Sequence, residues 1–290
     1  MMDERDIKKS VQYTAGWLAD KQKKHVAMVE KSIINLQNDI IDTIQRLELS
    51  KTGKIEGLKV NMKQAQKIHA DVNKMFDKHF SADTKKIVDD FKSVSTTIKK
   101  SYGMLDEAVK FTAMDEKTMD VLRDGYWREY LAIGDQQKNK IIQSVYDQAI
   151  ANRGFSSLVN TISGALMGSG AVDVVGRSLA QYSRLYARDM IMNFHNEVNV
   201  QKSKDIGLKH FLYVGDIIKT TRPFCKSRAG KTYTEDQINS WDYSWIGKSG
   251  PAMTNRGGYN CRHHWQGVKP EWLEGKKKLD VADWFEGKEE

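Results

Sequence analysis

Proline is absent before residue 223, and only three prolines occur in 290 residues. Glycine is sparse through residue 120. A chain short of both lacks the residues that interrupt helices, so long helices are expected over its N-terminal half. Cysteine is scarcer still. Two residues are too few for a disulfide scaffold and point to a reducing compartment, where zinc or free thiols are their fate. Long hydrophobic runs are missing too. The longest apolar stretch, around Phe155 to Gly176, is broken by Ser, Asn, Gly and Asp, which excludes a membrane span. The first residues, Met-Met-Asp-Glu-Arg-Asp, lack the basic region and apolar run of a signal peptide, so synthesis and assembly in the cytoplasm are expected.

What is present is helical texture. Val29, Ile33, Leu36, Ile40, Ile44 and Leu47 step by threes and fours, as do Ile87, Phe91, Val94, Ile98, Tyr102, Leu105 and Val109. Such narrow apolar stripes on polar helices bury little alone and must pack on one another or on a partner. Ser50 to Gly57 reads as a turn between the first two long helices, and Ser81-Ala82-Asp83-Thr84 as an N-cap before a third. A further helix is expected from about Asp124 to Ala151, a turn at Asn152 to Ser157, and a long helix from about Asp173 to Lys204. The last would bury Leu179, Tyr182, Leu185, Tyr186, Met190 and Phe194 and end at Gly207. Beyond Gly207 the texture changes. His210-Phe211-Leu212-Tyr213-Val214 is β-prone, and Gly, Trp, Tyr and turn residues crowd the chain up to Pro270.

The fold expected is therefore mainly α, with a small α+β module near the C-terminus and long N-terminal helices forming a bundle or helical hairpins. The boundaries read as 1–120 for a long-helix bundle or arm, 121–206 for a second helical region, 207–270 for the compact module and 271–290 for a charged tail. Trp272, Leu279, Val281, Trp284 and Phe285 would dock that tail. The net charge of +8 favours contact with nucleic acid or an acidic protein surface, but the charges interleave along helices rather than cluster, as on an ordinary solvated surface.

Chemistry-bearing residue types concentrate in one stretch. Both cysteines, two of seven histidines and two of three prolines lie between Asp216 and Trp265. Cys261 and His263, two apart, share a side of an extended chain, and Cys225 follows a proline-fixed turn. Thiolate and imidazole are preferred zinc ligands, so Cys225, Cys261 and His263 form a candidate site, with Asp216 as fourth ligand or as the acceptor that orients His263. On the same alternation His264 points away. The competing reading makes both cysteines small buried hydrophobes and gives His263 a backbone partner. A structural zinc ion suits a module of this size, which buries little apolar area.

Other residues read more plainly. Arg222 and Arg262 suit loop carbonyls better than phosphates. Gly230-Lys231-Thr232 lacks the upstream glycine of a phosphate-binding loop. Trp241, Trp245, Trp265 and Tyr259 are expected in the core rather than stacked on bases. His195 and Glu197 are expected at the surface, since a spacing of two does not share a helix face. No Gly-x-Ser-x-Gly elbow occurs.

The order Asp216, Thr221-Arg222-Pro223-Phe224-Cys225, Gly230-Lys231-Thr232-Tyr233, Pro251, Gly257-Gly258 and Asn260-Cys261-Arg262-His263 resembles the C-terminal module of the phage Mu F-like head morphogenesis proteins. Leu185-Tyr186-Ala187-Arg188-Asp189 is similar to that family's Ala-Arg-Thr-Glu helix, with Asp189 and Met190 in place of Thr-Glu. The resemblance covers roughly residues 150 to 270. It implies a minor capsid protein of a tailed phage, located in the virion and made in the host cytoplasm, with portal, major capsid or scaffold protein as partners and packaged DNA as a further one. An enzyme is the alternative: a metal-dependent hydrolase or nuclease with Asp216, Cys225, Cys261, His263 and His264 lining its site, or a toxin carrier.

Overall fold

The computed structural model describes residues 4–105, 110–168, 178–243 and 251–273, with 276, 278–281 and 284–285. The fold is mainly α with a small α+β module. Seven helices come first: α1 (Glu4–Ile44), α2 (Leu58–Met75), α3 (Ala82–Asp89), α4 (Lys92–Gly103), α5 (Ala113–Ile150), α6 (Phe155–Met167) and α7 (Leu179–Asp205). The module follows with β1 (His210–Val214), α8 (Pro223–Arg228), β2 (Thr232–Thr234), α9 (Glu235–Asn239), α10 (Ala252–Asn255) and β3 (His264–Val268). No described helix is long and apolar enough to cross a membrane.

Two compact units divide this chain. The first holds Met1–Lys23, Asp90–Asp124 and Arg188–Glu290; the second holds Lys24–Asp89 and Gly125–Ala187. They cut the sequence elsewhere than at residues 120, 206 and 270, because α1, α5 and α7 each give one end to either unit.

The second unit is built on apolar periodicity. Val29, Ile33, Leu36, Ile40, Ile44 and Leu47 are all buried. From α2 onward the buried positions run Asn61, Ala65, Ile68, Val72, Phe76, Phe80, Thr84 and Ile87. Consecutive steps of four in the middle of this line overshoot an α-helical turn, and the chain re-phases through a π-helical turn at Phe76–Ser81. Helix therefore continues where an N-cap at Ser81 to Thr84 was expected; Thr84 is buried and its hydroxyl donates to the Phe80 carbonyl at 2.5 Å. Phe80 packs on Tyr130 at 5.0 Å and over Gly134, where a Cβ would stand 2.4 Å from its ring. The turn between α1 and α2 is held by buried Asn61, which accepts from Glu48 N–H at 2.8 Å and donates to the Glu56 carbonyl at 2.9 Å. On α7, Leu179 is buried but Tyr182 is 37% exposed; the inward line runs instead through Ser183 and Ala187.

The first unit carries the second stripe. Phe91, Val94, Ile98, Tyr102 and Leu105 are buried, and Val109 lies outside the described residues. Phe91 stacks on Phe194 at 4.5 Å. Polar pairs supplement this core: Ser10 with Ser101 at 2.6 Å, Tyr102 with Ser203 at 2.5 Å, and buried Lys202 with half-buried Asp115 at 3.0 Å. Gly207, at a φ of +78°, ends α7 and turns the chain into β1. The sheet is antiparallel in the order β2-β1-β3, with Tyr213 opposite Trp265 and Val214 opposite His264. Thr234 and Gln237 form a reciprocal cap that starts α9. The tail belongs to the same unit. Leu279, Val281 and Trp284 are buried, Leu279 N–H donates to the Gly230 carbonyl at 2.8 Å, and Gln12 donates to the Trp284 carbonyl at 2.6 Å.

Candidate metal centre

Three of the four expected ligands meet. Cys225 sits in α8, two residues past the proline that sets its start, while Cys261 and His263 lie on the segment that enters β3. Cys225 Sγ and Cys261 Sγ are 3.8 Å apart, and Cys261 Sγ is 3.8 Å from His263 Nδ1. The three ligand atoms lie within 4.8 Å of one another, and all three residues are buried. Two sulfurs bound to one zinc at about 2.3 Å and the tetrahedral angle stand about 3.8 Å apart. The sulfur–sulfur edge therefore fits the ion without rearrangement, and both cysteines are free thiols.

Asp216 is not in this group. It lies past the end of β1, half-buried, and does not orient His263, whose Nε2 has no hydrogen-bond partner. The residue of β1 that reaches the sulfurs is Tyr213. Its hydroxyl is 3.4 Å from each sulfur, and its ring stacks on His263 at 5.0 Å with an interplanar angle of 11°. Nothing in the sequence singled it out; an aromatic in a β-prone run reads as core. Gly257 closes the other side. Its N–H donates to Cys261 Sγ at 3.2 Å, and a Cβ there would stand 2.2 Å from Cys225 Sγ. Glycine is needed here for space.

The electrostatics favour anionic sulfur. Burial opposes ionisation of Cys261, but hydrogen bonds from Cys225 and His263 and the charge of Arg256 outweigh it and hold this thiol well below its ordinary range. The hydrogen bond to Cys261, with burial, pushes the Cys225 thiol up. One proton is thus shared between two sulfurs, the state from which a metal displaces it. Burial, then the two sulfurs, keep the Tyr213 hydroxyl protonated and able to donate to thiolate.

The loop around the site is stitched to α7 by polar side chains. Asn196 donates to the Met253 carbonyl at 2.7 Å and accepts from Trp265 N–H at 3.1 Å. Asn199 donates to the Trp265 carbonyl, and the Asp189 carboxylate accepts from Asn260 N–H at 2.7 Å. Asn260 has a φ of +56°, so the carboxylate holds a backbone turn that side chains seldom adopt. Arg256 is fully buried. It donates to the carbonyls of Cys261 and His263, each at 3.2 Å, and to Asn193 Oδ1. Asp189, Asn193, Asn196 and Asn199 recur every three or four residues; polar residues at that spacing on a helix with an otherwise apolar face are the signal that would have found them.

The remaining side chains fall as follows. Arg222 donates to the carbonyls of Gly257 at 3.1 Å and Tyr259 at 2.7 Å, so it serves the loop. Arg262 is exposed. Trp265 is fully buried, Trp241 packs against the same core, Tyr259 is exposed and Trp245 lies outside the described residues. His264 does point away from the sulfurs, and its ring meets His195 edge-on at 5.4 Å. His195 is therefore buried, against the surface position expected, because the loop and β3 cover this part of α7. Burial first, then neighbouring positive charge, holds His195 well below its usual range and His264 down to about 3.

No protein-family model matches this chain, and neither a curated protein nor a solved structure does.

Proposed function

We propose that this chain is a structural virion protein, a minor capsid or head morphogenesis protein of a tailed phage, whose C-terminal module is a docking unit stapled by zinc. Cys225, Cys261 and His263 would hold the ion; Tyr213 and Gly257 would donate to the bound sulfurs. The ion would supply a cross-link between α8 and the segment entering β3. The observation that carries this reading is the pair of 3.8 Å spacings among three buried soft ligands. The order of residues that resembles the Mu F-like module supplies the biological context. On this reading the protein acts near the portal during procapsid assembly, DNA packaging or ejection, and its partners are portal, capsid or scaffold subunits.

A hydrolase or nuclease is less well supported. A general base must stand within reach of a metal-bound water, and Asp216, the carboxylate proposed for that role, is not gathered with the ligands.

The test is the zinc content of the purified protein, with Cys225→Ser and His263→Ala variants beside it. One zinc per chain, lost in both variants along with incorporation into particles, is the expected result. A zinc-free wild type that keeps a cooperative melt would make the cysteines core residues. A chain that binds zinc but neither portal nor capsid protein would leave the staple and remove the virion role.

A further inference from the structure

Charge of both signs interleaves along α1 and α5, but not along α2. Between Glu56 and Asp71 the sequence holds Lys59, Lys63 and Lys67 and no carboxylate, and Lys74 continues the row. All four lysines are exposed, on the side opposite buried Asn61, Ala65, Ile68 and Val72. Elsewhere lysines are neutralised by neighbours: Lys78 pairs with Asp39, Lys86 with Asp83 and Lys138 with Asp135. Asp71, the nearest carboxylate of α2, is engaged by Arg46 at 2.7 Å. The connecting turn that Asn61 holds against the start of the helix adds exposed Lys51 and Lys54.

Like charges four residues apart destabilise a helix. A surface that only had to be soluble would mix signs, as α1 and α5 do. Lys59, Lys63 and Lys67 instead set one positive charge per turn, about 6 Å apart, and Lys74, two turns on, extends the row to roughly 22 Å of helix. That is the counterpart of a continuous line of negative charge, and a DNA duplex carries one charge per ~1.7 Å of its axis. Beside them on this face stand exposed Val60, Gln66 and Ala70. With no aromatic ring to stack on bases, the face suits a phosphate backbone rather than unpaired bases.

We propose that the exposed face of α2 is a binding surface for double-stranded DNA, without sequence preference. This goes beyond the capsid reading, which names DNA as a partner but no residues, and it is independent of any metal.

The experiment is fluorescence anisotropy of a labelled random-sequence duplex of about 20 base pairs with the full chain, from ~50 to ~200 mM salt, a range in which phosphate contacts weaken steeply. The variants are Lys59→Gln/Lys63→Gln/Lys67→Gln and a control, Lys85→Gln/Lys92→Gln/Lys100→Gln, which removes the same charge from other exposed lysines. The wild type and control should bind alike. The α2 variant should bind at least tenfold more weakly, with a log–log salt slope shallower by about 2.7, or 0.9 per lost contact. Circular dichroism melts of the three proteins should coincide, since every substituted residue is exposed. No binding by the wild type, an unchanged slope in the α2 variant, or equal loss in the control would overturn the proposal. So would polyglutamate competing as well as duplex at equal charge, which would identify an acidic polypeptide as the partner.

Discussion

The two units are held together by different chemistry. In the second, apolar side chains recur along helices, and among the buried polar groups Asn61 serves a single turn. In the first, a comparable stripe on α4 is joined by a line of polar side chains on α7 that bind the backbone of a loop, and that loop shapes a sulfur-rich site. Apolar burial is non-directional and tolerates small errors of placement. Polar stitching is directional, and each lost partner strands a buried donor or acceptor. One unit should therefore respond to perturbation gradually, the other abruptly.

The widest separation between them should come from the metal. Chelation, or Cys225→Ser, is expected to remove hydrogen-exchange protection across β1, α8 and β3 while leaving the Val29 to Leu47 stretch of α1 protected. Equal loss in both would show one cooperative block and end the comparison. Next is Phe80→Ala in the second unit, which empties the space over Gly134 and should cost about 3–5 kcal/mol in denaturant melts. An effect below ~1 kcal/mol would mean that Tyr130 and its neighbours collapse into the gap.

In the first unit, Asn196→Ala leaves the Met253 carbonyl and the Trp265 N–H without their partner, for a loss of about 2–3 kcal/mol. The informative contrast is Asn196→Asp, which keeps the acceptor for Trp265 and loses the donor to Met253. If it is as stable as the wild type, the stitching does not depend on hydrogen-bond direction.

Acid should discriminate further. His195 and His264 are buried as neutral rings, with folded pKa values below the unfolded one. The unfolded chain then takes up protons first as pH falls. Stability is complete above about pH 6.5 and declines below it, by about 2 kcal/mol at pH 5 from His264 alone, given its folded value of about 3. His264→Phe, which removes two ring nitrogens that have no hydrogen-bond partner, should flatten that slope and leave neutral-pH stability equal or higher. A slope unchanged in this variant would assign the acid response elsewhere. The smallest effect expected is that of Tyr213→Phe. It keeps the ring on His263 and removes the hydroxyl that stands 3.4 Å from each sulfur, so zinc affinity should fall by about tenfold with little change in fold. Unchanged affinity in a competition titration would reduce Tyr213 to packing.

What could be read beforehand follows the same division. The stripes on α1 and α4, the turn after α1, the end of α7 at Gly207 and strand β1 were legible because each rests on local periodicity or on one residue's backbone preference. The π-helical turn was not: it reconciles a buried line of four-residue steps with the turn of a helix, and a cap motif at Ser81 looked sufficient. His195 looked exposed because nothing local shows what will cover a helix. Ligand type brings Cys225, Cys261 and His263 to notice, but the order of residues does not show that Asp216 stands apart from them or that Tyr213 stands among them.

By itself the sequence determined the helical class, the position of the small β-rich module and the three soft candidate ligands, since periodicity, turn residues and ligand chemistry are properties of short segments. The tertiary structure decided which residues stand around those ligands. Tyr213 lies 12 residues before Cys225, and Asp189 lies 71 residues before the Asn260 amide it accepts from. Contacts of that separation depend on how the strands pair and where α7 lies against the loop. No short segment encodes them, because the free energy that selects them is gained only when distant elements pack together.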